Sequence, residues 1–308
     1  MMFTVGVPPV EFTVGVPPVE FTVGVPPVEF TVGVPPTTCR GRAARARGKV
    51  CGVRLTILGC SGSIPGPDRA ASGYLLEADG FVLGIDLGNG TLARMQALMD
   101  PFRLDALLLS HLHPDHCADF SALTVLRRYH PDPPYDPRAH RLPVYAPGEA
   151  PRRLANAFAP HESERLETDL SDVYDFHTLR HATERIGPFT VTPVPVVHPT
   201  ESFGFRIGLD GSTLAYTGDS GPCPGLEELA HGADVLLAEA SWTEAPDRPE
   251  ALHLSGKQAG GLAHRAGAGR LLLTHVSPWS DGESILAEAR AEFAGPTERV
   301  EQGGVYEL

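Results

Sequence analysis

The sequence predicts an α/β fold, and three observations carry that prediction. Apolar runs of strand length alternate with helical stretches, glycine-bearing turns separate them, and strand after strand stops at a histidine or an aspartate. A chain of 308 residues can bury a sizeable core as one large α/β domain or two smaller ones. Its hydrophobic fraction of 42% and charged fraction of 20% are those of a soluble globular protein. No run approaches the ~18 consecutive apolar residues that a bilayer span requires.

The first 52 residues stand apart. Phe3-Thr4-Val5-Gly6-Val7-Pro8-Pro9-Val10-Glu11 recurs from Phe12, Phe21 and Phe30 almost unchanged, and the arginine-rich stretch Arg40 to Lys49 follows. Solenoid units usually need about 20 residues or more and tolerate divergence, so a near-identical nine-residue period is not a stacking repeat. Pro-Pro in each unit forbids a helix, which leaves an extended or disordered arm, or a tandem DNA repeat translated from an over-long gene model. The expected division is 1–52 as low-complexity extension and 53–308 as globular domain. Setting the extension aside removes five basic and three acidic residues, and the remaining 20 basic and 35 acidic side chains give a formal −15 against −13 for the whole chain. An acidic domain does not attract phosphate backbones globally, so any nucleic-acid contact must be local. Five cysteines, odd in number and without a C-x-x-C pair, fit reduced thiols and a cytoplasmic setting.

From Val53 the elements follow in order. Val53 to Leu58 is a strand, and the small residues of Gly59-Cys60-Ser61-Gly62-Ser63 let backbone approach a neighbour closely. Tyr74 to Glu77 and Phe81 to Ile85 flank Ala78-Asp79-Gly80 as a hairpin, and Asp86-Leu87-Gly88-Asn89-Gly90 opens a helix over Thr91 to Met99. Asp86 is either a cap or turn residue or a carboxylate that orients a ligand histidine. Ala106 to Leu109 reads as a buried strand, Ala118 to Tyr129 as an amphipathic helix, and Leu142 to Tyr145 as a strand after a proline-rich connection. Residues 151–186 are polar and partly helical. Phe189 to Val197, Phe203 to Leu209, Thr213 to Tyr216, Val235 to Ala238 and Leu271 to Thr274 are strands, and Leu262 to Ala266 and Ser284 to Phe293 are helical.

The chemistry concentrates in Ser110-His111-Leu112-His113-Pro114-Asp115-His116, directly after the strand at Ala106. Neutral imidazole nitrogens and a carboxylate suit a borderline divalent cation such as zinc, and H-x-H-x-D-H offers two ligands to one metal and two to its neighbour. The blander alternative is a polar strand-to-helix loop in which Asp115 caps the next helix. Four separated strand ends argue against it, because His198, Asp219 and His275 occupy positions equivalent to this loop and suggest convergence on one site. Cys117 reads as a small core residue. His130, His140, His161, His177, His181, His231 and His264 lack such spacing and read as surface or structural.

The order H-x-H-x-D-H, His, G-D-S, T-H resembles the metallo-β-lactamase-fold hydrolases, over about Val53 to Leu308. That resemblance implies an αββα four-layer sandwich, with His111, His113 and His198 on one metal, Asp115, His116 and His275 on a second, and Asp219 bridging. Within the superfamily the chain is most similar to RNase Z and its phosphodiesterase relatives. His253-Leu254-Ser255-Gly256-Lys257-Gln258-Ala259-Gly260 and Leu271 to Ser277 look like that group's H-S-T box and final histidine motif. Glu239 matches the glutamate of its H-E-A-T box, although Ala238 stands where that box has histidine.

The cofactors expected are two divalent ions, zinc first, with manganese or iron also fitting. Two cations roughly 3.5–4 Å apart bring a shared water near neutral pKa and clamp phosphoryl oxygens for in-line attack. Asp115 would orient that nucleophile as well as bind metal. His253, outside the metal set, is the candidate general acid, with Glu239 fixing its tautomer and raising its pKa; otherwise it is a helix-flanking surface histidine. The expected substrate is a phosphodiester, an RNA end or a small nucleotide. tRNA-processing members carry a basic arm between the third and fourth metal motifs, and Pro199 to Gly218 has room only for strands. Cyclic nucleotides therefore compete as substrates, followed by lactone or thioester hydrolysis and a non-catalytic metal-binding role. Trp279 and Phe203 either stack on a base at the mouth or pack. The resemblance further implies a homodimer.

Overall fold

The computed structural model describes residues 52–308, so the repeat and all of the basic extension before Gly52 lie outside the described residues. Chain order builds two sheets in succession. The first takes β1 (Arg54–Gly59), β2 (Gly73–Ala78), β3 (Phe81–Ile85), β4 (Ala106–Leu108), β5 (Leu142–Ala146) and β6 (Tyr174–Thr178). The second takes β7 (Glu184–Ile186), β8 (Phe189–Pro195), β9 (Phe203–Leu209), β10 (Ser212–Tyr216), β11 (Val235–Glu239), β12 (Arg270–Thr274) and β13 (Thr297–Arg299). The C-terminal β14 (Val305–Glu307) returns to the first sheet beside β1, giving the orders β14-β1-β2-β3-β4-β5-β6 and β13-β12-β11-β10-β9-β8-β7. Both sheets are mixed: β3 to β6 and β10 to β13 run parallel, the other pairings antiparallel.

Strand alternation sorts side chains into layers. Leu55, Ile57, Tyr74, Leu76, Leu83, Ile85, Ala106 and Leu108 of the first sheet face Phe189, Val191, Phe205, Ile207, Leu214, Tyr216, Leu237 and Leu272 of the second in one core between the sheets. The intervening residues point outwards. Leu75, Val82 and Leu107 pack under the helices α1 (Thr91–Leu98), α3 (Phe120–Tyr129) and α4 (Ala150–Phe158). Leu236, Ala238, Leu271 and Leu273 pack under α5 (Pro224–Ala230), α6 (Gly256–Ala266) and α7 (Gly282–Glu292). Strands buried on both faces read as continuous apolar runs, which is why β11 and β12 appear as VLLA and RLLLT. The result is the αββα sandwich.

Several boundaries depart from the sequence-based expectation. The helix expected over 118–129 is α3, which starts two residues later at Phe120, and a single helical turn α2 (Pro114–Cys117), outside that expectation, precedes it. Asp115 does not cap: His113 is the N-cap of α2 and no side-chain cap bond forms there. The helix around Leu262 starts earlier, at Gly256, where Ser255 and Gln258 form a reciprocal capping box worth about 1 kcal/mol. The 151–186 stretch holds most of one α-helix, a 3-10 turn at Glu162–Glu164 and two strands, and the three-residue β13 and β14 were invisible because so short a run has no periodicity. Phe203 is only 5% exposed and belongs to the inter-sheet core, which rules it out as a stacking platform, whereas Trp279 is 68% exposed. Cys117 is buried among the helices of the first sheet, as expected of a small core residue. Among the described residues no helix is long and apolar enough to cross a membrane.

Candidate metal centre

Parallel strands deliver their C-terminal ends to one edge of the sandwich, and the polar residues that follow them meet there. β4 leads into Ser110-His111, β10 into Asp219, β11 ends at Glu239 and β12 leads into His275. Two of the residues that leave strands do so with left-handed backbone: Asp86 after β3 has φ 56°, and His275 after β12 has φ 56°. A non-glycine residue in that region costs about 1–3 kcal/mol, and such strain collects at functional sites. Asp219 is reached through Gly218, φ 58°, where a Cβ would lie 2.6 Å from the Phe203 carbonyl oxygen. Only glycine fits that turn.

All seven sequence-predicted ligands come together. His111 Nε2 lies 3.0 Å from His113 Nδ1, which lies 3.0 Å from His198 Nε2. His275 Nε2 lies 3.1 Å from Asp115 Oδ2, and His116 Nε2 lies 3.6 Å from the same oxygen. Asp219 spans the two groups: Oδ1 is 3.2 Å from His116 Nε2, while Oδ2 is 3.2 Å from His275 Nε2 and 3.8 Å from His111 Nε2. The atoms of His111, His113 and His198, and those of Asp115, His116, Asp219 and His275, form two groups each able to hold an ion.

The outward nitrogens are pinned by neighbours. His116 Nδ1 donates to Asp86 Oδ2 at 2.7 Å, and the Ser110 amide, the Ser110 hydroxyl and the Tyr216 hydroxyl donate to the same carboxylate at 2.7, 2.8 and 2.7 Å. Of the two readings of Asp86, the orienting carboxylate is the one the geometry bears out. His198 Nδ1 donates to the Leu252 carbonyl at 3.0 Å. His275 Nδ1 sits 3.0 Å from Ser241 Oγ, whose own proton goes to Glu239 Oε2 at 3.1 Å. Bonds of this kind select the tautomer that turns the other ring nitrogen inwards. Ser110, Tyr216 and Ser241 carried no motif that separated them from ordinary strand residues; only the fold brings their hydroxyls to the ligands.

His253 lies beside the cluster, its Nδ1 3.1 Å from Glu239 Oε2 and 3.9 Å from Asp219 Oδ2. Glu239 is fully buried and also accepts the Ser220 amide at 2.6 Å. Burial favours a neutral imidazole, but the Glu239 carboxylate outweighs it and raises the His253 pKa to about 9. Trp242 walls His253 edge-on, with ring centroids 5.1 Å apart. At two other histidines burial prevails: it drives His111 well below the ordinary imidazole value and His198 down to about 4, leaving ring nitrogens with free lone pairs, whereas the Asp219 and Asp86 carboxylates outweigh burial at His116 and raise it well above that value. Burial resists ionisation of Asp115, yet the His275 hydrogen bond and the adjacent imidazoles hold its carboxyl below the usual carboxylate range.

The donor set fits divalent cations. His116 Nε2 and Asp219 Oδ1 are buried polar atoms without a hydrogen-bond partner, an arrangement that is costly unless a ligand satisfies them. Three imidazole nitrogens face one another at hydrogen-bond distance, as ligands of one tetrahedral ion do. The backbone is as tight as the side chains, since a Cβ on Gly62 would meet the His275 carbonyl oxygen at 2.3 Å and Nδ1 at 2.8 Å. Gly62→Ala is therefore expected to displace His275 and cost about 1–3 kcal/mol of stability, checked by thermal unfolding together with bound-metal stoichiometry. Unchanged values for both would show that the loop yields freely.

A model of the beta-lactamase superfamily domain matches residues 84–276, well over half of the chain and every one of the seven clustered residues. The chain belongs to this superfamily. Curated relatives agree: an uncharacterized protein of Mycobacterium tuberculosis is 47% identical over 264 residues, 85% of this chain and 94% of its own. Ribonuclease Z of Mycobacterium bovis is 31% identical over 278 residues, covering 82% of this chain and 95% of the relative. The crystal structure of the metallo-beta-lactamase fold protein YhfI from Bacillus subtilis superposes with a TM-score of 0.70 at 27% identity, over 83% of this chain and 99% of that one. The superfamily's metallo-hydrolase fold and a cluster compatible with divalent metal thus occur together in one chain.

Proposed function

We propose that residues 53–308 form a two-metal hydrolase that cleaves phosphodiester bonds. The observation that carries this reading is the His253–Glu239 pair, at 3.1 Å, set beside a seven-residue cluster that Asp219 joins into one. His111, His113 and His198 would hold one ion, Asp115, His116 and His275 the other, and Asp219 both. Bound divalent cations, zinc foremost, supply an acidified water and neutralise phosphoryl charge. The protein supplies the rest. Asp115, at the mouth of the second group, accepts hydrogen bonds that orient the attacking water. His253, held protonated by Glu239, delivers a proton to the departing alkoxide. Similarity to Ribonuclease Z supports the same bond type.

A specific feature favours small phosphodiesters over a folded RNA. β9 and β10, which fill the space between His198 and Asp219, are joined by the tight turn Asp210-Gly211, both with positive φ (51° and 95°), and carry no arm. The net acidity of the domain disfavours global attraction to a phosphate backbone, so an RNA end or a cyclic nucleotide is the scale of substrate this reading expects. Action in the cytoplasm as a homodimer belongs to the same proposal, and light scattering of the purified chain measures the latter.

The test is metal analysis of the purified protein followed by turnover of bis(p-nitrophenyl) phosphate, cyclic nucleotides, a tRNA precursor and a lactone panel. Two equivalents of metal with cleavage of phosphodiesters and inert lactones is the expected outcome. Lactone or thioester turnover without phosphodiester cleavage would overturn it, and metal binding without any turnover would assign a binding protein.

A further inference from the structure

A second recess lies outside the cation cluster. It has a volume of about 420 Å3, inside the ~300–1,000 Å3 range of small-molecule pockets, and is lined by Cys60, Asp68, Arg69, Arg94, Arg299, Val300, Glu301 and Gln302. Three arginines around one recess are unexpected in a domain with a formal charge of −15. They come from three separate elements: Arg69 from the loop after β1, Arg94 from α1, and Arg299 from β13.

Their charges are poorly used within the protein. Arg299 Nε is buried without a hydrogen-bond partner, and its other end reaches Glu283 only at 3.4 Å. Arg69 pairs with the largely exposed Asp68 at 3.3 Å, and Arg94 has no carboxylate within salt-bridge distance among the described residues. A buried, unpartnered guanidinium N–H is a donor awaiting an acceptor, and guanidinium forks match phosphate oxygens. Asp68 and Glu301 add carboxylate acceptors to the lining, suited to hydroxyl or amino donors.

We propose that this recess is a second ligand site that takes a phosphorylated nucleoside. Arg69, Arg94 and Arg299 receive the phosphate, and Asp68 and Glu301 receive sugar hydroxyl or base amino donors. One loop lies between the recess and the cation cluster. Gln302 clamps that loop from the recess side, accepting the Ala70 amide at 2.6 Å and donating to the Asp68 carbonyl at 3.2 Å. On its other side the Gly62 amide donates to the Val276 carbonyl at 3.2 Å, and Gly62 abuts His275. The inference stands apart from the hydrolase reading, because it concerns binding at arginines that no step of that reaction uses.

Calorimetric titration of the metal-loaded chain with 5′-AMP, and separately with inorganic phosphate, tests it. Binding of 5′-AMP that survives removal of metal by chelator, and that weakens by about 10- to 100-fold in Arg94→Ala and in Arg299→Ala, is the expected result. Arg94 is exposed on α1, so its replacement leaves the fold, and hydrolysis of bis(p-nitrophenyl) phosphate without added nucleotide, unchanged. The proposal is overturned if chelation abolishes all 5′-AMP binding or if both variants titrate like the parent. It is equally overturned if phosphate alone binds as tightly as the nucleotide, which would leave no role for the acceptor wall.

Discussion

His253→Ala is expected to lower kcat by about 10²–10⁴ while the metal content stays at the parent value. The geometry makes the split in readouts informative. His253 Nδ1 contacts Glu239 rather than the seven clustered residues, and 3.9 Å separates it from the nearest Asp219 oxygen. Loss of a proton donor slows departure of a poor leaving group most, so a substrate with a p-nitrophenolate leaving group should be much less affected than an alkyl diester. One competing assignment exists. Glu239, His253 and His275 also approach closely enough to hold an ion. A fall in bound metal in the variant would make His253 a ligand and sink the general-acid role.

Asp86→Ala is expected to damage both stability and metal affinity. Four buried donors, the Ser110 amide and hydroxyl, His116 Nδ1 and the Tyr216 hydroxyl, lose their shared acceptor at once. Removing one partner of a buried charged network costs roughly 3–5 kcal/mol, partly offset here because alanine no longer buries a carboxylate. Freed from its partner, the His116 ring loses its fixed tautomer, and affinity at the second group should drop by about 10–100-fold. Chemical denaturation of the metal-free protein and competitive chelator titration of the loaded protein measure the two separately. A variant as stable as the parent, with unaltered affinity, would reduce Asp86 to a turn residue.

The local part of this site was legible because the chemistry is encoded in short range. His111, His113, Asp115 and His116 sit within six residues, and His198, Asp219 and His275 each follow a recognisable apolar strand. Strand faces were legible for the same reason: period two is visible in five residues, and doubly buried strands such as β12 show as unbroken apolar runs. Whether Phe203 stacks or packs was left open by the sequence, because an aromatic at the start of a strand looks the same whether it points to solvent or, as here, into the inter-sheet core. Three-residue β13 and β14 carry too few side chains to display any period, so their existence depends on partners far away in the chain.

What the sequence by itself determined is the class of fold, the seven candidate ligands and the Glu239–His253 pairing, because each rests on residue type and on order along the chain. Only the tertiary structure decided how those ligands are held. The Tyr216 hydroxyl reaches Asp86 across 130 positions, and Arg69 and Arg299 line one recess although one follows β1 and the other ends β13. Such contacts arise when two sheets close on each other. Hydrophobic burial drives that closure and acts on whole faces, so the particular polar atoms that meet across it leave no trace in local composition.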